Sequence, residues 1–326
     1  MNIPSGVPTP TIEDIRKAAK TIEGIAYRTP LYRSEYLSRR FQASVFLKLE
    51  CYQPTRVFKI RGAANKILSL SRSQRQRGLV TASSGNHGLS VAYVARMLGI
   101  PATIVVPTSV VKEKVEAIKA ENATVVEHGR SHAEIFSLAK DIQKEQGAMF
   151  VPPFDDPKVI AGQGTIGLEI MEDLPNVDTT LVPVGGGGLI SGVSLSIKAL
   201  KSETKMYGVQ SKAVPSMYES LSAGRPVRLV PIDTIADGLA PEEPSQLTFQ
   251  ITKDNVESIL LTSDARIRWA TRMALEQLHL LIEPSAAAVI AALGESYMPT
   301  KGENLVLIVS GGNISLKLLR ELLSAD

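Results

Sequence analysis

Short apolar runs alternate with amphipathic stretches along almost the whole chain. Thr11 with Asp14 marks a helix start, and Ile12, Ile15, Ala18, Ala19 and Ile22 follow at helical spacing. VFLKL (45–49) precedes a helix expected from about Gly62. GLVTA (78–82) precedes LSVAYVARML, ATIVVP (102–107) precedes KEKVEAIKAEN, and TVVEH (124–128) precedes AEIFSLAKDIQKE. The alternation continues through MFVPPF, TTLVPVG, KMYGVQ, SILLTS and NLVLIVSGG. Apolar strands separated by amphipathic helices predict βαβ units and mainly parallel sheets covered on both faces. Roughly ten strands are too many for one ordinary open sheet, so the expected fold class is α/β with two doubly wound domains. No repeat, low-complexity block or linker marks the boundary between them.

Composition narrows the function classes. The 326 residues are 44% hydrophobic and 21% charged, enough for a full core, and the net charge is +3. Acidic and basic residues are interspersed, which argues against a nucleic-acid or membrane surface. A single cysteine, Cys51, excludes an intramolecular disulfide and suits a reducing cytoplasm. MNIPSGVPTP lacks the order of a signal peptide and reads as a loose tail. Thr179 to Ile197 is free of charge, but Pro183 and the glycines within it fit a strand, a loop and a helix start better than a membrane span. A soluble protein is expected.

In open α/β sheets ligands bind beyond the carboxyl ends of strands. Three glycine-rich turns fall there: SSGNHG (83–88), GGGG (185–188) and SGGN (310–313). Gly185, Gly186, Gly187 and Gly188 run straight into the helical pattern LISGVSLSIKAL. Glycines let backbone N–H groups approach an anion, and the helix adds its positive end, so a phosphate is the natural guest. The alternative is a flexible turn with no ligand. The G-x-G-x-x-G fingerprint fails, because Ile190 and Ser191 stand three residues after Gly187 and Gly188, and no P-loop follows a glycine turn. A small phosphorylated cofactor remains. Lys59 sits among Val57, Phe58 and Ile60. Alone it reads as an ordinary amphipathic residue, but beside a phosphorylated aldehyde it suggests pyridoxal phosphate held as a Schiff base. Desolvation would leave its amine neutral enough to attack a carbonyl, with Arg61 facing elsewhere on an extended segment.

The set FKIRGA, SSGNHG, DDPKVIAGQGTIGLEI, PVGGGGL, ADGLA, IEPSAA and IVSGGN resembles the pyridoxal-phosphate enzymes of the serine/threonine dehydratase and serine racemase family, fold type II. The motifs stand in family order from about residue 45 to 313, so the resemblance covers nearly the whole chain. It implies two three-layer αβα domains, tryptophan-synthase-β-like, with the cofactor in the cleft between them. The large domain would be discontinuous, 1–70 and 152–326, and the small domain 71–151. By resemblance Lys59 is the Schiff-base residue, Phe58 packs near the ring and Asn86 bonds its phenolic oxygen. Ser83, Ser84, Asn86 and His87 grip the substrate carboxylate. Gly185, Gly186, Gly187, Gly188 and Leu189 give N–H groups to the phosphate, and Ser310 meets the pyridine nitrogen.

The activity so implied is removal of water and ammonia from a β-hydroxy amino acid, L-threonine or L-serine first. Substrate displaces Lys59, whose freed amine takes the α-proton, and the β-hydroxyl leaves to give a 2-oxo acid and ammonia. A neutral hydroxyl at Ser310 does not hold the pyridine nitrogen protonated, which favours elimination over transamination. Ser84 would face the other side of the α-carbon, as in the racemases. The competitors are a dehydratase for a less common β-hydroxy amino acid, of the hydroxyectoine-utilisation type or for 3-hydroxyaspartate, and a serine or aspartate racemase. Different in class are a cofactor-free binding protein, which Lys59 argues against, and a nucleotide-dependent dehydrogenase, which lacks its fingerprint. The family also suggests a cytoplasmic homodimer or homotetramer.

Some positions depart from the family pattern. Val57 stands where serine is frequent, and Pro152 where histidine is. Gln210 and Ser216 stand at the acidic positions that bind a divalent cation in some members, so no tight metal is expected there. The chain ends about a dozen residues after SGGN, so no C-terminal effector domain is expected. His128 and His132 have helical metal spacing, but Gly129 interrupts them and no third ligand stands at a matching interval. Glu283 lines the pocket or favours a helix start, Asn313 is a cap or a supporting residue, and Asp155–Asp156 reads as a polar turn. Trp269, Met273 and Leu280 read as core.

Overall fold

Runs of β-branched and aliphatic residues form ten strands among the residues described by the structure, a computed structural model covering 8–83, 85–230 and 232–324. They are β1 (Leu31–Arg33), β2 (Ser44–Leu49), β3 (Leu79–Ala82), β4 (Ala102–Val106), β5 (Thr124–Glu127), β6 (Met149–Phe150), β7 (Thr179–Pro183), β8 (Lys205–Ser211), β9 (Ser258–Thr262) and β10 (Asn304–Val309). One sheet has the order β1-β2-β10-β7-β8-β9 and the other β5-β4-β3-β6. Every pairing is parallel except β1 with β2, where Leu31 opposes Lys48. The α/β class with two layered units follows. The sequence pattern had not marked β1, a three-residue edge strand whose outward residues leave no apolar alternation.

Each central strand feeds two cores. Leu305, Leu307 and Val309 face one side with the all-buried helix Pro284–Ala292. Val306 and Ile308 face the other with the helix Gly188–Leu200. In the smaller sheet Leu79, Ile104 and Val106 pack with the helices Lys59–Ser69 and Asn86–Leu98, while Val80, Ala82 and Val105 pack with His132–Gln146. Apolar surface on both faces is what a parallel sheet requires. The helix Lys59–Ser69 packs against both Asn86–Leu98 and the large-sheet helix Pro157–Asp173, and so joins the two units.

Local signals set the helix ends. Thr11 and Asp14 form a reciprocal capping box. Asp156 caps the helix Pro157–Asp173, in line with the polar-turn reading of Asp155–Asp156. Met273 and Leu280 are core residues, and Trp269 packs against that core half-buried. One reading changes. The helix expected from Gly62 begins at Lys59, so Arg61 lies in its first turn and not on an extended segment. Of the two roles open to Asn313, cap or support, its Nδ2 takes support, donating to Asn86 Oδ1 and the Thr55 carbonyl, while the Ser315 hydroxyl accepts from Leu318 N–H at the start of the last helix.

Candidate active site

The strand ends gather the site. Val57 bridges Gly311 in an antiparallel pair, Phe58 N–H donates to the Ser310 carbonyl at 3.0 Å, and Gly312 N–H donates to the Arg56 carbonyl at 2.8 Å. This short clip holds the start of the Lys59 helix against the end of β10. Behind it Arg61 is buried with Glu50, Glu169 and Lys48. Its guanidinium donates to both Glu50 oxygens at 2.8 Å and to both Glu169 oxygens at 2.6 and 2.9 Å. Lys48 Nζ completes the quartet on Glu169 at 2.6 Å. Two cations balance two anions, which lets the group stay ionised out of water. Burial pushes the Glu50 carboxyl up, but Arg61 prevails and holds it below the usual range.

Lys59 is partly open to the cleft, and its Nζ donates to the Pro153 carbonyl at 2.9 Å. Loss of water pulls the amine down to about 8, against the opposing pull of Glu283. A fraction is therefore neutral near pH 7. The next residue, Phe154, packs on the glycine turn: a Cβ at Gly186 would lie 2.5 Å from its ring. Gly187 has φ +93°, where only glycine sits without strain. Thr248 Oγ1 donates to the Gly186 carbonyl at 2.7 Å. None of the N–H groups of Gly185, Gly186, Gly187, Gly188 or Leu189 meets an acceptor among the described residues, although all but Gly185 are buried. Buried unpaired donors at a helix start are a strong anion site.

At the end of β3, Asn86 opens a helix and its Nδ2 donates to Glu283 Oε1 and Oε2 at 2.9 and 3.0 Å. Asn313 Nδ2 donates to Asn86 Oδ1 at 2.8 Å and to the Thr55 carbonyl at 3.0 Å. Glu283 precedes the helix Pro284–Ala292 yet its side chain makes no cap. Burial pushes that carboxyl up to about 7, with Asp237 reinforcing the rise. His87 is buried, and its Nε2–H donates to the Val151 carbonyl at 2.9 Å. Burial, reinforced by Lys59, pulls the imidazole down to about 3, so it is neutral. Ser83 N–H donates to Val105, leaving its hydroxyl 3.4 Å from Gly85 N. Ser84 lies outside the described residues. Ser310 is 4% exposed, and its hydroxyl bonds no described residue.

A protein-family model described as "Pyridoxal-phosphate dependent enzyme" matches residues 22–311. The chain belongs to that family. Among relatives of this pyridoxal-phosphate dependent enzyme, the L-threonine ammonia-lyase of Thermotoga maritima is 44% identical, covering 96% of this chain and 78% of the relative. The catabolic L-threonine dehydratase TdcB of Escherichia coli K12 is 40% identical, covering 95% of each. Maize serine racemase superposes with a TM-score of 0.93 at 35% identity, covering 97% of each chain. The cofactor suits the cleft: the buried row of N–H groups matches a phosphate, and Lys59 offers an amine to an aldehyde. Sequence reasoning missed the Lys48–Glu50–Arg61–Glu169 quartet and the Pro153 carbonyl. Only the charges inside apolar runs, such as Lys48 in VFLKL, signalled buried pairing. At Gln210, where no tight metal is expected, Oε1 accepts from Met217 and Tyr218 N–H, both at 3.0 Å. Among the described residues no cluster of three or more His, Cys, Asp or Glu could hold a metal, and no helix is long and apolar enough to cross a membrane.

Proposed function

We propose that this enzyme is an ammonia-lyase that converts L-threonine, and L-serine second, to a 2-oxo acid and ammonia. One observation carries the reading. Consecutive residues, Pro153 and Phe154, contact the partly buried amine of Lys59 and the anion-binding glycine turn, so one small molecule reaches both. The 40–44% identity to threonine ammonia-lyases and dehydratases supports the substrate class.

Bound pyridoxal phosphate supplies an aldehyde for an amine and a sink for the electrons of a broken α C–H bond. Gly185 to Leu189 would hold its phosphate through N–H groups, Phe58 would pack beside its ring, Ser310 would offer a neutral hydroxyl to its edge, and Asn86 would reach that edge on exchanging a contact with Glu283 or Asn313. Lys59 would anchor it, and its Nζ, in the neutral form, would take the substrate α-proton. The substrate carboxylate would be received by Ser83 and the first turn of the Asn86–Leu98 helix. His87 serves that turn through its N–H, because its ring is committed to Val151. The likeness to maize serine racemase favours one second reading, inversion of serine accompanying elimination.

The same reading takes 1–70 and 152–326 as the large domain, 71–151 as the small one, and the molecule as a cytoplasmic homodimer or homotetramer. The test is borohydride reduction of the coloured protein, with the tagged peptide found by mass. A tag on Lys59 is expected; a tag on another lysine, or no colour, overturns the site. A panel of L- and D-amino acids then reads 2-oxo acid and enantiomer separately. Inversion without 2-oxo acid overturns the lyase.

A further inference from the structure

Glu283 is a buried carboxyl in the cleft for which the proposed chemistry has no use. Its surroundings are unusually defined. Asn86 donates to both of its oxygens, and Asn86 is itself held by Asn313, which is tied to the Thr55 carbonyl. Its own N–H donates to the Gly311 carbonyl at 3.1 Å. A Cβ on Gly311 would collide with its Oε1, and Gly311 is the partner of Val57, two residues before Lys59. We propose that Glu283 is a positioning residue that governs when the Lys59 amine holds its proton.

The charges around the pair set the sign. Glu283 feels Asp237 from the ADGLA segment, Lys114 from the helix Lys112–Lys119 and the Asn313 N–H, and its charge acts in turn on Lys59 and Cys51, while Lys59 acts on the neutral His87. Desolvation acts first on Lys59 and favours its neutral form, while the Glu283 charge acts against that. A protonated Glu283 therefore releases the amine, and an ionised Glu283 retains the ammonium. Burial and Asp237 bring the carboxyl to about 7, so it changes charge in the range where Lys59 must change its own. On this proposal the Lys59 titration is broadened by that of Glu283. The Asp237 side chain is 64% exposed and paired to Lys114 Nζ at 2.6 Å, and it reaches Lys59 through Glu283.

The inference rests on Lys59 as the cofactor-bearing lysine, but its test does not need the cofactor. The full chain, freed of cofactor with hydroxylamine, is labelled by fluorodinitrobenzene between pH 5.5 and 10, and the Lys59 peptide is quantified by mass spectrometry. Glu283→Gln keeps an oxygen for Asn86 and removes the charge. Its labelling curve is expected to sharpen to a single-proton form and shift down, making Lys59 roughly threefold or more faster to label at pH 7, the effect of about half a pH unit. Asp237→Asn is expected to act oppositely: Glu283 ionises more readily, and labelling at pH 7 slows. This exposed change decides the matter should the buried variant fold poorly. Curves that coincide with the native one in both variants, or shifts of the same sign, overturn the proposal and leave Glu283 as a partner of Asn86 alone. A borohydride tag away from Lys59 would defeat the functional assignment while these curves still stood.

Discussion

At the scale of single residues the site depends on groups whose hold on a proton is weakened by burial. Lys59 and His87 share a cause: both lose solvent without gaining an opposite charge strong enough to compensate. For His87 this has a measurable cost on acidification. Its folded value of about 3 lies below the ordinary 6.5, so the native state resists a proton that the unfolded chain accepts. The stability it contributes is whole above pH 6.5 and is lost as pH falls toward 3, at about 1.4 kcal/mol per pH unit. His87→Asn removes this term. Urea unfolding at pH 6.5 and pH 5 should show the native chain losing about 2 kcal/mol more than the variant; equal losses would refute a buried neutral imidazole.

At the scale of elements, two turns are fixed by different means. The glycine turn is fixed by exclusion, since a side chain at Gly186 meets the Phe154 ring at 2.5 Å. Gly186→Ala should leave the sheet intact but move Phe154, and with it the Pro153 carbonyl on Lys59. Overpacking of this kind costs about 1–3 kcal/mol, so cofactor affinity measured by absorbance titration should fall about tenfold or more. The Lys59 turn is fixed by charge. Glu50→Gln leaves Lys48 and Arg61 facing Glu169 alone, a buried surplus that should lower unfolding free energy by about 3–5 kcal/mol. The glycine turn was legible because strand, glycines and helix are contiguous. The Arg61 quartet was not: Arg61 and Glu169 stand 108 residues apart, and no local periodicity carries a contact across that span. The same reason hid the Asn86–Glu283 contact, at a separation of 197 residues. Parallel strands with long apolar runs announced themselves, whereas β1, short and half-polar, did not.

At the scale of the whole molecule, Lys114 and Asp237 form an ion pair at 2.6 Å between the two sheet units. Lys114 belongs to the helix after β4, and Asp237 to a segment of the large-sheet side, so the pair connects the units. Its side chains are 33% and 64% exposed, and an ion pair in such water contributes about 0–1 kcal/mol. It is therefore a poor fastener, and Lys114→Ala should shift the melting temperature by no more than about 4 °C. Its electrical influence reaches further than its mechanical one. Lys114 opposes the upward drift of Glu283, so removing it lets Glu283 keep its proton to higher pH. Lys59 labelling in Lys114→Ala should then move in the direction of Glu283→Gln, by a smaller amount, and the difference should shrink as salt is raised. A large loss of stability with an unmoved labelling curve would mean that the pair holds the cleft shut instead of tuning the groups inside it.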